Sequence, residues 1–360
     1  MHSDKTPDIL GNGSYGCIFY PSINVCNGKK EDDIDSDHYI TKIQKHNPEI
    51  SDEVALGKII KNIHLYDHYF APIVKHCFIN TTNMDYDLVK TCTNMQNDFG
   101  EFDETRNYIS NKIRYVGQNT ISKYFYSMIV NPKHIYRKLI NTHLHLLDAV
   151  KKLYDNNIVH FDLKSPNIMY DDIQNVPIII DFGISKDITP LINPSFDITN
   201  KEYLLHKIFI NDEPYLYWCI DIYILSNIGY NSYLRPNSQV RQNQFLILLD
   251  RFVSKNNFMH FISMSELTQF KENIIRYFNT YIEQQRTWED VFRDLIQNYT
   301  TWDNYSLALC YTRLKCIIDP LDEDMDTINT YKYMLNRIIL SMPDKRPTAE
   351  ETKREILSIL

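Results

Sequence analysis

The sequence predicts an α+β protein in two lobes: a small antiparallel sheet with one helix, followed by a larger helical part. Two broad patterns and one local one predict it. Runs of strand-forming residues crowd the first third of the chain. Apolar residues at helical spacing dominate the chain after Gly117. Three of only 9 glycines, Gly11, Gly13 and Gly16, cluster between two strand-like runs. The predicted lobes are residues 1–117 and 118–360.

In chain order, Ile9-Leu10 and Cys17-Ile18-Phe19-Tyr20 read as strands on either side of the glycine cluster. The acidic stretch 27–37 reads as a solvated loop, and His38 to Ile43 as a short strand. Asn47-Pro48-Glu49 is a helix start, with a capping Asn, Pro at the first helical position and acid in the first turn. That helix is expected to reach about Ile63, with Ile50, Val54 and Ile60 on its apolar side and Gly57 weakening it. Phe70 to Ile79 reads as a strand, the polar stretch 80–111 as an insertion, and Lys112 to Val116 as another strand. Pro132 to Tyr154 is the clearest helix: Ile135, Leu139, Leu146, Val150 and Leu153 recur at near-helical intervals. Two short apolar runs come next, Asn167–Tyr170 and Pro177–Ile180, and the chain beyond Asp187 is mostly helical in pattern.

Composition excludes several classes. Hydrophobic residues make up 43% and charged residues 23% of 360, so a folded core is expected rather than disorder. The net charge of −8 lacks the basic excess of a duplex-binding surface, so no nucleic-acid partner is expected. The cysteines number 7, with no CxxC pair. Zinc or thioredoxin-like chemistry therefore has no support, and reduced cysteines in a cytosolic setting are the expectation. Met1 to Leu10 is polar, without the apolar region of a signal peptide. No apolar run approaches the roughly 20 residues of a membrane span.

Three segments carry chemistry. In Gly11-Asn12-Gly13-Ser14-Tyr15-Gly16, followed by Ile18, glycines let backbone N–H groups approach phosphate oxygens. A tight structural turn would show the same residues. A dinucleotide-binding unit would place a helix after the third glycine, and strand formers stand there instead. His160-Phe161-Asp162-Leu163-Lys164-Ser165-Pro166-Asn167 supplies a carboxylate, a cation and a metal ligand in one loop: Asp162, Lys164 and Asn167. Phosphoryl transfer to a hydroxyl needs these groups. Asp181-Phe182-Gly183 comes directly after Ile178-Ile179-Ile180, and Asp181 can hold Mg²⁺ between phosphates.

With these segments in place, the sequence resembles the eukaryotic-type protein kinase superfamily. The matching pieces are GNGSYGCI, YITKI, HFDLKSPNIM, IIIDFG, CIDIYILSNI and DKRPTAEE, from Gly11 to about Glu351. The resemblance implies a protein serine/threonine kinase that uses ATP and Mg²⁺ on protein substrates. Its Asp162-Leu163-Lys164 form is closer to serine/threonine than to tyrosine kinases. Lys42 would pair with the α- and β-phosphates, with Lys45 a competitor, and Glu53 rather than Glu49 would be its ion-pair partner. Asp162 would orient the acceptor hydroxyl, Lys164 would stabilise the transferred group, and Asn167 and Asp181 would bind Mg²⁺. His160 and Phe182 would be packing residues. Asp221 resembles the buried aspartate that braces the catalytic loop.

The chain departs from the family in two places. Phe161 replaces the arginine that reads a phosphate on the activation segment, so activity without phosphorylation there is expected. No Ala-Pro-Glu occurs after Gly183; Asp212-Glu213-Pro214 lies in about that place, and a Glu213–Arg346 pair is expected. The Asn-, Ile- and Tyr-rich composition and the insertions are similar to serine/threonine kinases of large DNA viruses, which implies host cytoplasm or a virion. Two other functions stay open: a catalytically weak pseudokinase scaffold, and a small-molecule kinase, against which Lys164 and Gly183 argue.

Overall fold

A computed structural model describes residues 8–13, 16–26, 36–79, 92, 108–129, 135–200, 204, 213–231, 234–256, 262–317 and 325–360. It is a mixed α+β chain with a small antiparallel sheet and a helical part. The chain divides into two compact units. One is Met1–Gln118 with Asp171–Gln174 and Ile180–Gly183; the other is Asn119–Tyr170, Asn175–Ile179 and Ile184–Leu360.

In the smaller unit, strands β1 (Asp8–Gly13), β2 (Gly16–Tyr20), β3 (Tyr39–Lys45), β4 (Phe70–Ala71), β5 (Ile73–Ile79) and β6 (Tyr108–Arg114) accompany helix α1 (Pro48–Lys61). Five of them form one antiparallel sheet in the order β1-β2-β3-β6-β5. β6 begins at Tyr108, inside the stretch expected to be an insertion, because Tyr108, Ile109, Ser110 and Asn111 are buried. The rest of that insertion, Cys92 excepted, and residues 27–35 of the acidic loop lie outside the described residues. α1 starts as its sequence indicates: Asn47 Oδ1 caps the helix by accepting from the Ile50 amide at 2.9 Å. Gly57 has a packing reason, since a Cβ there would meet the Ile73 carbonyl oxygen at 2.8 Å.

Alternation along β3 sorts the two faces of the sheet. Ile43 joins Cys17, Phe19, Val25, Cys92 and Tyr108 in one core cluster. On the other face, Ile50 and Val54 of α1 pack on Ile73 and Ile109. Gln44 pairs with Ile109 and Lys42 with Asn111, which puts the Lys42 side chain on the α1 face. The first cluster contains a disulfide, Cys17–Cys92; a second, Cys26–Cys77, joins the chain after β2 to β5. This corrects the expectation of reduced cysteines. Sequence spacing gave no sign of the pairs because their partners are 75 and 51 residues apart.

The larger unit contains helix α2 (Ile121–Met128), helix α3 (Ile135–Tyr154), strands β7 (Ile158–Val159) and β10 (Lys186–Asp187), and all but the last residue each of strands β8 (Ile168–Asp171) and β9 (Val176–Ile180). Helices α4 (Thr189–Ile192), α5 (Ile220–Tyr230), α6 (Gln242–Lys255), α7 (Met264–Glu283), α8 (Trp288–Ile296), α9 (Trp302–Ile317), α10 (Met325–Leu340) and α11 (Ala349–Ile359) complete it. α3 buries Leu139, His143, Leu146, Val150 and Leu153 along one side, and Lys353 of α11 ties to its Asp148 at 2.6 Å. Trp288 and Trp302 are fully buried at the starts of α8 and α9. Among the described residues no helix is long and apolar enough to cross a membrane.

Candidate active site

The smaller unit brings three of the expected residues together. Lys42, buried on β3, has its Nζ 3.3 Å from Asp181 Oδ1 and 4.0 Å from Glu53 Oε1. Lys45, its competitor in sequence, is exposed. Burial pushes the Glu53 carboxyl up, with Asp181 adding to the rise, while the Lys42 ammonium and a hydrogen bond from Gln44 pull it down. Phe182 is buried beside Asp181, its ring 6.1 Å from Phe70 in an edge contact. Asp181 itself sits at φ 60°, a left-handed conformation that side chains rarely adopt. Its carboxylate is 39% exposed, open to further ligands.

Around the glycine cluster, β1 and β2 pair with Gly11 opposite Ile18 and Gly13 opposite Gly16. Ile18 also pairs with Lys42, so these side chains are cross-strand neighbours. Gly16 is required by the fold: at φ 140°, a Cβ would lie 2.3 Å from the Ile43 carbonyl oxygen. Gly11 has room for a side chain. Ser14 and Tyr15 at the tip, and the Asn12 side chain, lie outside the described residues.

The larger unit brings together the other expected group. Asn167 Nδ2 donates to Asp162 Oδ2 at 2.8 Å and to the Asp162 carbonyl oxygen at 3.0 Å. Lys164 Nζ is 2.9 Å from Asp162 Oδ1. A fourth residue, Tyr215, was not anticipated: its hydroxyl donates to Asp162 Oδ1 and accepts from Lys164 Nζ at 3.1 Å. Only the aromatic density of Tyr215-Leu216-Tyr217-Trp218 could have flagged it. In chain order, Asn167 directly precedes β8 and Asp181 comes directly after β9.

The loop is held from below, though not by the aspartate expected. Asp303 at the start of α9 accepts from the His160 amide at 2.7 Å and from the Phe161 amide at 3.2 Å. Burial raises the Asp303 carboxyl, against the pull of His160 and those two amides. Asp221, expected in this bracing role, instead forms a fully buried two-pronged pair with Arg346 at 2.8 and 2.9 Å. It also accepts from Trp302 Nε1 at 3.0 Å. Desolvation works to raise the Asp221 carboxyl, but Arg346 outweighs it and the net direction is down. The expected Glu213–Arg346 pair is therefore corrected: Glu213 pairs with Arg251 at 2.8 Å. The motif spacing misled because Asp221 and Asp303 both stand in the first turn of a helix, and residues 222–302 intervene.

Phe161 is buried at φ 63°, its ring 5.7 Å from Trp302 and 6.1 Å from Trp218. Trp218 Nε1 donates to its carbonyl oxygen at 2.8 Å. An apolar ring packed in this way offers no cation to a phosphate.

No protein-family model matches the chain, and no curated protein matches it. The site therefore stands on its own chemistry. Among the described residues no three His, Cys, Asp or Glu converge as a metal cage. Magnesium bound through one or two oxygen donors and nucleotide phosphates needs no such cage. In the smaller unit the Asp181 carboxylate is partly open; in the larger unit the bonds from Asn167 Nδ2 leave its amide oxygen outside them.

Proposed function

We propose that this chain is a protein serine/threonine kinase that transfers the γ-phosphoryl group of ATP to protein hydroxyls, in a two-lobed kinase-like fold. The observation that carries the reading is the Asp162 carboxylate, which receives a hydroxyl hydrogen bond with a lysine on the same hydroxyl. That is the arrangement an acceptor hydroxyl needs: a base within reach of its proton and a cation beside the attacking oxygen. Lys42 would bind the α- and β-phosphates, with Glu53 fixing its position. Gly11, Asn12, Gly13, Ser14, Tyr15, Gly16 and Ile18 would cover the nucleotide.

Asp181 and Asn167 would hold magnesium, which when bound neutralises phosphate charge. Asp162 would orient the acceptor and take its proton. Lys164 would offset negative charge on the transferred group. Asp303 keeps Asp162 in place by fixing the backbone of the two residues before it. The composition and insertions favour a viral source.

The test is phosphoamino-acid analysis of casein and a basic protein after incubation with γ-labelled ATP and magnesium. Labelled phosphoserine or phosphothreonine is expected. Retention of the label in an Asp162→Asn variant would overturn the assignment of the base.

A further inference from the structure

Tyr215 lies between Asp181 and Asp221, in the part of the chain whose sequence says least. Its hydroxyl donates to Asp162 Oδ1 at 2.5 Å and accepts from Lys164 Nζ at 3.1 Å. The ring is anchored as well: it meets the Trp218 ring edge-on at 5.7 Å, and Lys164 Nζ lies 5.7 Å from its centroid. Trp218 is fixed in turn by its bond to the Phe161 carbonyl. Asp162, Lys164 and Tyr215 belong to one compact unit, so this contact is internal to a single chain.

A general base works on a proton within direct hydrogen-bond reach. Here the hydroxyl in reach is the chain's own phenol. We infer that Tyr215 is itself a phosphoacceptor, modified in cis by a nucleoside triphosphate at this site. The inference rests on the kinase reading and extends it to a tyrosine.

In the step, Tyr215 Oη bonds to the γ-phosphorus and the bond from that phosphorus to the β,γ-bridging oxygen breaks. The nucleoside diphosphate leaves with the electron pair, and the phenolic proton passes to Asp162. The Lys164 ammonium sits beside the oxygen that becomes the ester. The product carries about two negative charges next to the Asp162 carboxylate, so like-charge repulsion expels it. Each chain is therefore modified once.

Full-length protein is incubated with magnesium, ATP and casein, and phosphopeptides of both proteins are mapped by mass spectrometry. Phosphotyrosine at Tyr215 is expected, rising to one phosphate per chain with a rate constant that does not change with protein concentration. It is absent from Tyr215→Phe and Asp162→Asn variants. Labelled casein with unmodified Tyr215 overturns the inference and leaves the kinase reading intact. A lower kcat at unchanged KM in Tyr215→Phe would then mark Tyr215 as a positioning residue only. A rate that rises with protein concentration overturns the cis step. No transfer to either acceptor overturns both readings.

Discussion

Lys42 is held by two carboxylates of different character. Glu53 is buried and its carboxyl is raised by desolvation, whereas Asp181 is partly open. The buried acid is suited to fixing the lysine and the open one to meeting a ligand. Asp221 and Arg346 show the opposite case, an ion pair closed to water on all sides. Removing one partner strands the other charge in a low-dielectric interior. Asp221→Asn should therefore cost about 3–5 kcal/mol of unfolding free energy, read from urea denaturation. Because the Asp221 carboxyl is held below its ordinary value, its contribution is present above that value and is lost as pH falls through the lower folded one. The variant should accordingly lack part of the wild-type loss of stability in strong acid. An unchanged urea midpoint would contradict the account. Single residues were unevenly legible in the sequence. Asp162, Lys164, Asn167 and Asp181 stand in short motifs with a chemical reason for their residue types, whereas Lys42 and Glu53 were implied by the family resemblance. Tyr215 and Asp303 reach the same loop across 53 and 143 residues of sequence, a separation no local pattern encodes.

The five-stranded sheet and α1 were readable as elements, because alternation, the Asn47 cap and Pro48 are local signals. The two disulfides that brace the sheet were not. In the chain-entropy picture each closes a loop long enough to contribute about 4 kcal/mol. Reduction should lower the thermal midpoint of the smaller unit, and Cys26→Ser should reproduce part of the shift. A midpoint indifferent to reductant would remove the disulfides from the account. β6 carries a second consequence. Asn111, opposite Lys42, is fully buried, and among the described residues neither atom of its amide has a hydrogen-bond partner. An unmatched buried polar group costs about 1–3 kcal/mol, so Asn111→Leu should raise stability by up to that amount. Destabilisation in the same urea titration would show that the amide is satisfied in solution. The start of β6 was misplaced in sequence because Ser110 and Asn111 are polar in composition yet buried by their neighbours.

At the scale of the whole chain, acid sensitivity also has a source outside the candidate site. His143 is sealed inside α3, bonded to the Tyr331 hydroxyl at 2.8 Å and stacked on Tyr311 at 4.2 Å. Burial lowers its ring from 6.5 to about 3. Between those values the unfolded chain takes up a proton that the folded chain refuses, so stability falls as pH drops through that window. The limiting slope is about 1.4 kcal/mol per pH unit, and His143→Gln should flatten it. An acid limb unchanged in that variant would rule His143 out as the source. The passage from a small antiparallel sheet to a helical part was legible because periodicity changes near Gly117, while the long run of helices between Asp221 and Asp303 hid which aspartate braces the loop. On the kinase reading proposed above, Asp162 would act on the acceptor and Asp181 on the nucleotide. The most direct measurement pairs an ATP-binding titration with γ-phosphoryl transfer for wild type, Asp162→Asn and Asp181→Asn. Asp162→Asn is expected to keep ATP affinity and lose transfer by about 10²–10⁴-fold, and Asp181→Asn to lose magnesium-dependent affinity as well. Wild-type protein that binds ATP and transfers nothing to any acceptor would contradict it, leaving a nucleotide-binding scaffold.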